Sequence, residues 1–480
     1  MSFFKGDVNV NEQIKFSSLN VASCTLAELF SGQSIEGVNG SIRGKLFIPE
    51  YQRPYTWGEV QMNRLLKDLA DYFKDEAGQR YYLGSVILHQ DANSNRLNVI
   101  DGQQRITTFA ILAHLLGKQA PAIVFSAPSS QQKIARNYRY LLAERDGSKL
   151  SNIALEHLNI TLVVTQSEDD AYRFFETQNT GGVRLTGADI IKAHHLRATD
   201  KHSQDAYARK WEALVELSPL LDCIMKVRYW QNLQFKELPS HRSPQLIKAE
   251  VVSEMAEGCS DLLTDTAYRQ MSLNNSIGGW QLASPTMGYA MQQPLNSGAN
   301  CIEYFAYFAQ LQQSLLLTES YPQQQDFYKF YKALIKPTDG TAYLKKLFDS
   351  AVLLYVSQFG SAQLFEASLW LFRMIYSLRI SNQKTVKESS IQSFARDKKI
   401  FDLISQSFTH EQLIGRLKSF DYQPDNSNTD PNTNTVKVRF MNNMANYFGF
   451  DIKLIQQDPK QYYDSALVSG IVAKKIGAIK

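Results

Sequence analysis

The chain has 480 residues, 44% of them hydrophobic and 20% charged, with a net charge of +4. This is an ordinary globular composition, long enough for two or three domains, and the mild basic excess permits nucleic-acid contact without arguing for it. No apolar run reaches membrane-spanning length and no basic-then-apolar leader opens the sequence, so a cytoplasmic protein is the expectation. The four cysteines, Cys24, Cys223, Cys259 and Cys301, form no CxxC pair. That excludes a sequence-encoded structural zinc and suits a reducing compartment.

In chain order, "TLAELFSG" places Thr25 and Glu28 at capping-box spacing and predicts a short helix. "KLFIPEYQRPYTW" is extended, because Pro49 and Pro54 disfavour helix. "GEVQMNRLLKDLADYF" carries Val60, Leu65, Leu66, Leu69, Tyr72 and Phe73 at helical spacing. "YYLGSVILHQ", the turn "DANSN" and "RLNVID" read as a hairpin. "ITTFAILAHLLG" is a helix closed by Gly117, while "PAIVF" and "NITLVVT" read as strands. Helices are expected over 168–178 and in "GADIIKAHHLRA", with a "TGGVRLT" loop between them. Beyond about residue 200 the apolar spacing is helical throughout. The polar, Asn-rich segment 422–435 reads as a mobile loop. The expected architecture is α+β over 1–200, with a small mixed sheet, followed by an all-α domain over 201–480.

Three stretches carry chemistry. The first is "VIDGQQRITT", where a strand meets a helix at Asp101-Gly102. Such a junction aims backbone N–H groups and the positive end of a helix dipole at one point. Gly102 permits close backbone approach. Arg105 offers a two-pronged fork for phosphate oxygens, and Gln103 and Gln104 add neutral donors. Thr107 and Thr108 are placed to cap the helix or reach a metal-bound phosphate, and Asp101 to orient magnesium. A hairpin turn with a surface arginine fits the same pattern. If the turn is instead a phosphate site, Arg105 is expected exposed there, and its loss should abolish activity while costing stability only on the order of 0.5 kcal/mol; an unfolded variant would favour the bare turn.

The second stretch is "IPEYQRPYTW", with Gln52-Arg53 between Tyr51 and Tyr55 and Trp57 beyond. Arginine among aromatic rings suits a base stacked beside a charged group; a loop closing over the core is the alternative. The third is "FFETQNTGGVRLTGADIIKAHHL". There Thr186 and Asp189 suit a capping box, and Glu176 and Asn179 share one helix face. The adjacent His194 and His195 point to different faces and read as structural or solvated. Neither HExxH, GxSxG nor a Walker A loop occurs, and no HNH-like stretch is visible in the C-terminal half.

These stretches, with "YYLGSVIL" and in this order, resemble the N-terminal domain of GmrSD-type modification-dependent restriction systems. That domain is related to the ParB and sulfiredoxin fold and also opens the SspE phosphorothioate-sensing defence proteins. The resemblance covers about 45–200; beyond it only helical character agrees. It implies a domain that binds and hydrolyses nucleotide in defence against phage DNA. In that fold a Gly-x-x-Arg turn before a helix binds phosphate, which here is Gly102 to Arg105. Sulfiredoxin carries its reactive cysteine after that glycine; Gln103 stands there in this chain, which excludes thiol chemistry at the turn. Many relatives carry Asn-Asp-Arg-Gly where this chain has Asn179-Thr180-Gly181-Gly182, so the arginine of that tetrapeptide is missing, which weakens a transition-state role for the loop.

The resemblance thus implies an NTP-hydrolysing sensor subunit. Asp101, Gln104, Arg105 and Glu176 are its expected catalytic residues. Tyr51, Gln52, Arg53, Tyr55, Gly102, Gln103, Thr107 and Asn179 would hold the nucleotide, and Asp101 the magnesium. The cofactors are Mg2+ and a nucleoside triphosphate, GTP or ATP, with the base left open. The expected partners are modified phage DNA and an HNH-type nuclease encoded separately, and self-association is left open. Two other readings stand beside it: a metal-dependent nuclease using Asp101 and Glu176, and a nucleotide-gated binding protein without turnover.

Overall fold

A computed structural model of the chain describes residues 19–75, 80–145, 153–168, 170–171, 187–214, 217–232, 255–256, 258–262, 264–270, 273–276, 279–282, 286–337, 339–383 and 386–479. The chain divides into two units: Met1–Leu185 with Lys201–Arg209, and Thr186–Asp200 with Lys210–Lys480. The division thus falls some residues before the expected boundary at 200, and a short segment after it returns to the first unit.

The first unit is built on a five-stranded mixed sheet. Its strands are β1 (Asn20–Thr25), β4 (Lys45–Phe47), β5 (Tyr81–Asp91), β6 (Arg96–Asp101) and β7 (Leu158–Thr165), in the order β1-β7-β5-β6-β4. The short strands β2 (Ile35–Gly37) and β3 (Gly40–Ile42) pair separately. The β5–β6 hairpin is antiparallel, with Asp91 opposite Arg96, while β5 runs parallel to β7 and β4 parallel to β6. Helix α1 (Leu26–Ser31) starts at the capping box read from sequence: Glu28 N–H donates to the Thr25 hydroxyl at 3.2 Å, and Thr25 N–H donates to Glu28 Oε2 at 2.7 Å. Helix α2 (Glu59–Asp75) buries Met62, Leu66 and Leu69, which line one face, while Val60 is exposed. Helix α3 (Gln103–Leu115) is buried nearly all round, and α4 (Pro128–Arg145) packs against it. Residues 121–125, expected as a strand, form no strand among the described residues, and Ile123 N–H donates to Pro121 O at 3.0 Å.

The second unit opens with α5 (Gly187–Arg197) and is mainly helical. The helices Ala342–Phe359 and Leu364–Ser381 are buried on all sides, with Tyr355, Phe372 and Tyr376 almost fully enclosed. The unit departs from an all-α domain in two small strand pairs, Tyr268–Gln270 with Thr286–Gly288 and Leu273–Ser276 with Gly279–Leu282. Strands of three and four residues are too short to leave an alternating signature. Segment 422–435 has no helix or strand, as its composition suggests, yet it is tethered. Lys437 Nζ donates to Asp425 O (2.6 Å) and Ser427 O (3.1 Å), and Thr435 Oγ1 donates to Asn428 O at 2.9 Å.

Candidate functional site

Asp101 ends strand β6, which lies between β5 and β4, and the chain turns at Gly102 with φ +92° before entering α3. Only glycine fits there. A Cβ would be strained at that φ and would lie 2.6 Å from Val86 Cγ2. No side chain caps the N-terminus of α3, so the residues that follow the turn do not use their side chains on the helix end. They use them on neighbouring main chain.

Arg105 shows this most clearly. Its Nη1 donates to Leu83 O and its Nη2 to Ser85 O, both at 2.6 Å, and the guanidinium lies 3.6 Å from Asp101. The two carbonyls flank Gly84, where β5 is irregular and φ is +95°. A Cβ on Gly84 would sit 2.7 Å from Arg105 Nη1. Gly84 is therefore part of the arrangement, and the sequence carried it inside "YYLGSVIL" without showing what it admits. The expectation of an exposed, structurally dispensable Arg105 is corrected: the side chain ties α3 to β5.

The glutamines secure the 49–57 loop. Gln103 Nε2 donates to Arg53 O at 2.9 Å, and Gln104 Nε2 to Pro54 O at 3.1 Å. Gln104 Oε1 accepts from Thr56 N–H (2.8 Å) and Trp57 N–H (3.2 Å), and Gln52 Nε2 donates to Ile100 O at 3.1 Å. Both Gln103 and Gln104 are buried, so each of these bonds replaces one that water made in the unfolded chain and is costly to leave unmade. Tyr51 and Tyr55 are buried as well. The Tyr55 hydroxyl pairs with Thr108 Oγ1 at 2.8 Å and accepts from Asn137 Nδ2 at 3.0 Å, and burial raises its pKa. Its ring belongs to the core and has no face open for a stacked base. Asn137, whose Nδ2 also reaches Trp57 O at 2.8 Å, was not legible as a member of this network. Thr107 is buried, and its hydroxyl has no hydrogen-bond partner among the described residues.

Besides Arg105, the charged side chains of Asp101 and Arg53 are partly exposed at this junction. Asp101 keeps part of its carboxylate open beside Arg105. Arg53 is partly exposed, and among the described residues its guanidinium has no hydrogen-bond or ion-pair partner. Because Gln103 grips the Arg53 carbonyl, the backbone that carries this free cation is fixed to the first turn of α3. Glu176 and Asn179 lie outside the described residues, as do Thr186 and residues 180–182, expected as part of a loop.

A buried carboxamide pair gripping an extended Tyr-Gln-Arg loop, with a strand-glycine-helix junction beside it, is a specific constellation. The model of the family described as GmrSD restriction endonuclease, N-terminal domain, matches residues 26–196. This region is a GmrSD-type N-terminal domain. Its mixed sheet, with a helical region following, has the α+β layout expected from the resemblance. Residues 203–432 match a second model, a family of unknown function (DUF7834). No curated protein matches the chain. No helix among the described residues is long and apolar enough to cross a membrane.

The junction has groups of the kind that hold phosphate oxygens. It offers a helix N-terminus without a side-chain cap, a glycine that removes the Cβ at the turn, and an arginine that has no partner among the described residues. It also offers one partly open carboxylate, Asp101. That suits magnesium, which commonly takes one or two protein carboxylates together with phosphate oxygens.

Proposed function

We propose that the GmrSD-type domain binds and hydrolyses a nucleoside triphosphate at the Asp101–Arg105 junction, as the sensor part of a modification-dependent restriction system acting against phage DNA. The restriction role rests on the family match. The nucleotide reading is carried by one observation above the others: Arg53 is a partly exposed cation without a partner among the described residues, on a loop pinned to the start of α3.

In this reading Arg53 takes a phosphate oxygen and the first N–H groups of α3 take another. Asp101 is the carboxylate available to magnesium, which when bound neutralises phosphate charge. Arg105 positions Asp101 and holds α3 to β5 without itself leaving the carbonyls of Leu83 and Ser85. Gln103 and Gln104 position the loop, so Gln104 supports the site and does not touch the reacting atoms. Phosphoryl transfer needs chiefly positioning and charge neutralisation, which such a preorganised junction supplies. The partners are modified DNA and a separate HNH-type nuclease.

A second reading, nucleotide-gated binding without turnover, is favoured by the engagement of Arg105. With both of its terminal nitrogens bonded to main chain, the junction keeps, among the described residues, one unpaired arginine for phosphate and none in reserve for a transition state. Phosphate release by the purified chain with magnesium and each of the four NTPs, with and without modified DNA, separates the two. Turnover with at least one NTP supports hydrolysis. Saturable binding with no phosphate released supports the gated module, and neither binding nor release contradicts both.

A further inference from the structure

Far from the Asp101–Arg105 junction in sequence, the second unit gathers three side chains that no motif announces. A ring nitrogen of His195 on α5 and the sulfurs of Cys259 and Cys301 all lie within 4.8 Å of one another. Cys301 stands in the first turn of the Ala299–Gln312 helix. His195 and Cys301 are fully buried, whereas Cys259 is partly exposed and can be reached from solvent.

The histidine is locked on both sides. Its Nδ1 accepts from Gly298 N–H at 3.2 Å, so Nε2 carries the proton and donates to Met255 O at 2.6 Å. A metal ion bound to either nitrogen would break one of these bonds and leave a buried main-chain group unpaired. The Arg228 guanidinium, held by Met291 O (3.2 Å) and Gln293 O (2.7 Å), adds positive charge felt by both sulfurs. That charge repels a dication and favours a thiolate. The chemistry of the cluster is therefore that of a thiol pair and not of a metal centre.

We propose that Cys259 and Cys301 are a peroxide-responsive thiol pair, Cys259 the reacting sulfur and Cys301 the resolving one. Cys259 Sγ donates to Met255 O at 3.7 Å. The neighbouring Cys301, with His195 and Arg228, draws the Cys259 thiol below its ordinary value despite burial; burial and the neighbouring sulfur push Cys301 up. By contrast, burial pushes the thiols of Cys24 and Cys223 up to about 12, which leaves them inert.

The reaction balances with hydrogen peroxide as the oxidant. The Cys259 thiolate attacks one peroxide oxygen, the O–O bond breaks, and the departing hydroxide takes a proton to become water. Cys259 is then a sulfenic acid. Cys301 attacks that sulfur and gives its proton to the leaving hydroxyl; the S–O bond breaks, the S–S bond forms and a second water departs. Two thiols are oxidised and one peroxide is reduced. The bond would staple the segment around Cys259 to the start of the Ala299–Gln312 helix.

The test uses the full, reduced chain treated with stoichiometric hydrogen peroxide, then alkylated and mapped by peptide mass spectrometry. The proposal expects a linked Cys259–Cys301 peptide pair, loss of two of the four free thiols, and Cys24 and Cys223 still open to alkylation after denaturation. In Cys301→Ser, Cys259 should accumulate as a sulfenic acid captured by a dimedone-type probe. Because the link is read in the unsubstituted chain, a variant that fails to fold does not spoil the test. Cys259 and Cys301 both remaining alkylatable would overturn the proposal. So would oxidation of Cys24 as fast as Cys259, or a stoichiometric metal ion, in protein purified with zinc, that protects both thiols.

Discussion

The two units bury their polar groups in different company. In the GmrSD-type domain, Gln103, Gln104 and Arg105 give their donors to main-chain carbonyls of Arg53, Pro54, Leu83 and Ser85. In the second unit, buried Lys437 likewise gives donors to carbonyls, but other buried cations meet side-chain carboxylates. Arg373 holds Asp464 through two parallel bonds of 2.7 and 2.6 Å, and Lys192 pairs with Glu212. Carbonyls do not titrate and do not move independently of the chain. A loop held by them is fixed in shape, which is what a binding junction requires. Ion pairs fix helices to one another and make their stability depend on protonation.

The contrast can be broken or sharpened by substitution. The largest effect is expected in the second unit. Asp464→Ala leaves Arg373 buried without its carboxylate and should cost about 4 kcal/mol, seen as loss of hydrogen-exchange protection in the Leu364–Ser381 helix. Little change there would mean that the pair is as replaceable as a surface one.

Arg105→Ala should cost about 2 kcal/mol, because two charge-assisted bonds to carbonyls are lost. Arg105→Lys should fail to restore it, since an ammonium is a point charge and cannot reproduce the fork to two carbonyls. Recovery of the melting temperature by lysine would show that charge alone matters at this position.

A pH scan separates the units. Burial, with His195 beside it, pulls His194 from 6.5 down to about 4. A depressed histidine resists protonation in the folded state, so its contribution is fully present above about pH 6.5. It is lost as the pH falls toward 4, amounting to about 2 kcal/mol after allowance for solvent screening. Hydrogen exchange around α5 should therefore quicken across that window, and His194→Gln should flatten the response. The Gln103–Gln104 clamp should stay level over the same range, because amides and carbonyls have nothing to titrate there.

The smallest effect on stability is expected at Arg53. Arg53→Ala should shift unfolding by no more than about 0.5 kcal/mol, since the side chain has no partner among the described residues and only its carbonyl is used.

Much of this was legible in the sequence, for identifiable reasons. The 81–101 hairpin showed because its two strands flank a short polar turn, and the capping box at Thr25 because both of its bonds are local. The strand-glycine-helix junction was readable for the same reason. Which of the two Gln-Arg doublets keeps a free cation was not. That is settled by the carbonyls around Gly84, on another strand, and by a φ that no residue pattern displays. Tyr55 looked like a stacking platform because aromatic spacing is the same on a surface and in a core; Asn137 and Thr108 decide which. "PAIVF" has strand composition without a strand neighbour. The His195, Cys259 and Cys301 cluster is assembled by tertiary packing from three separate segments and leaves no local trace.

The central claim is that the phosphate site is formed by Arg53 and the start of α3, with Arg105 as its support. Equilibrium titration of magnesium nucleotides into the unsubstituted chain and into Arg53→Ala tests it most directly, with melting temperatures taken on both. Saturable binding that is lost in Arg53→Ala at an unchanged melting temperature is the predicted result. Equal affinity in the two proteins would contradict the account and remove Arg53 from the site.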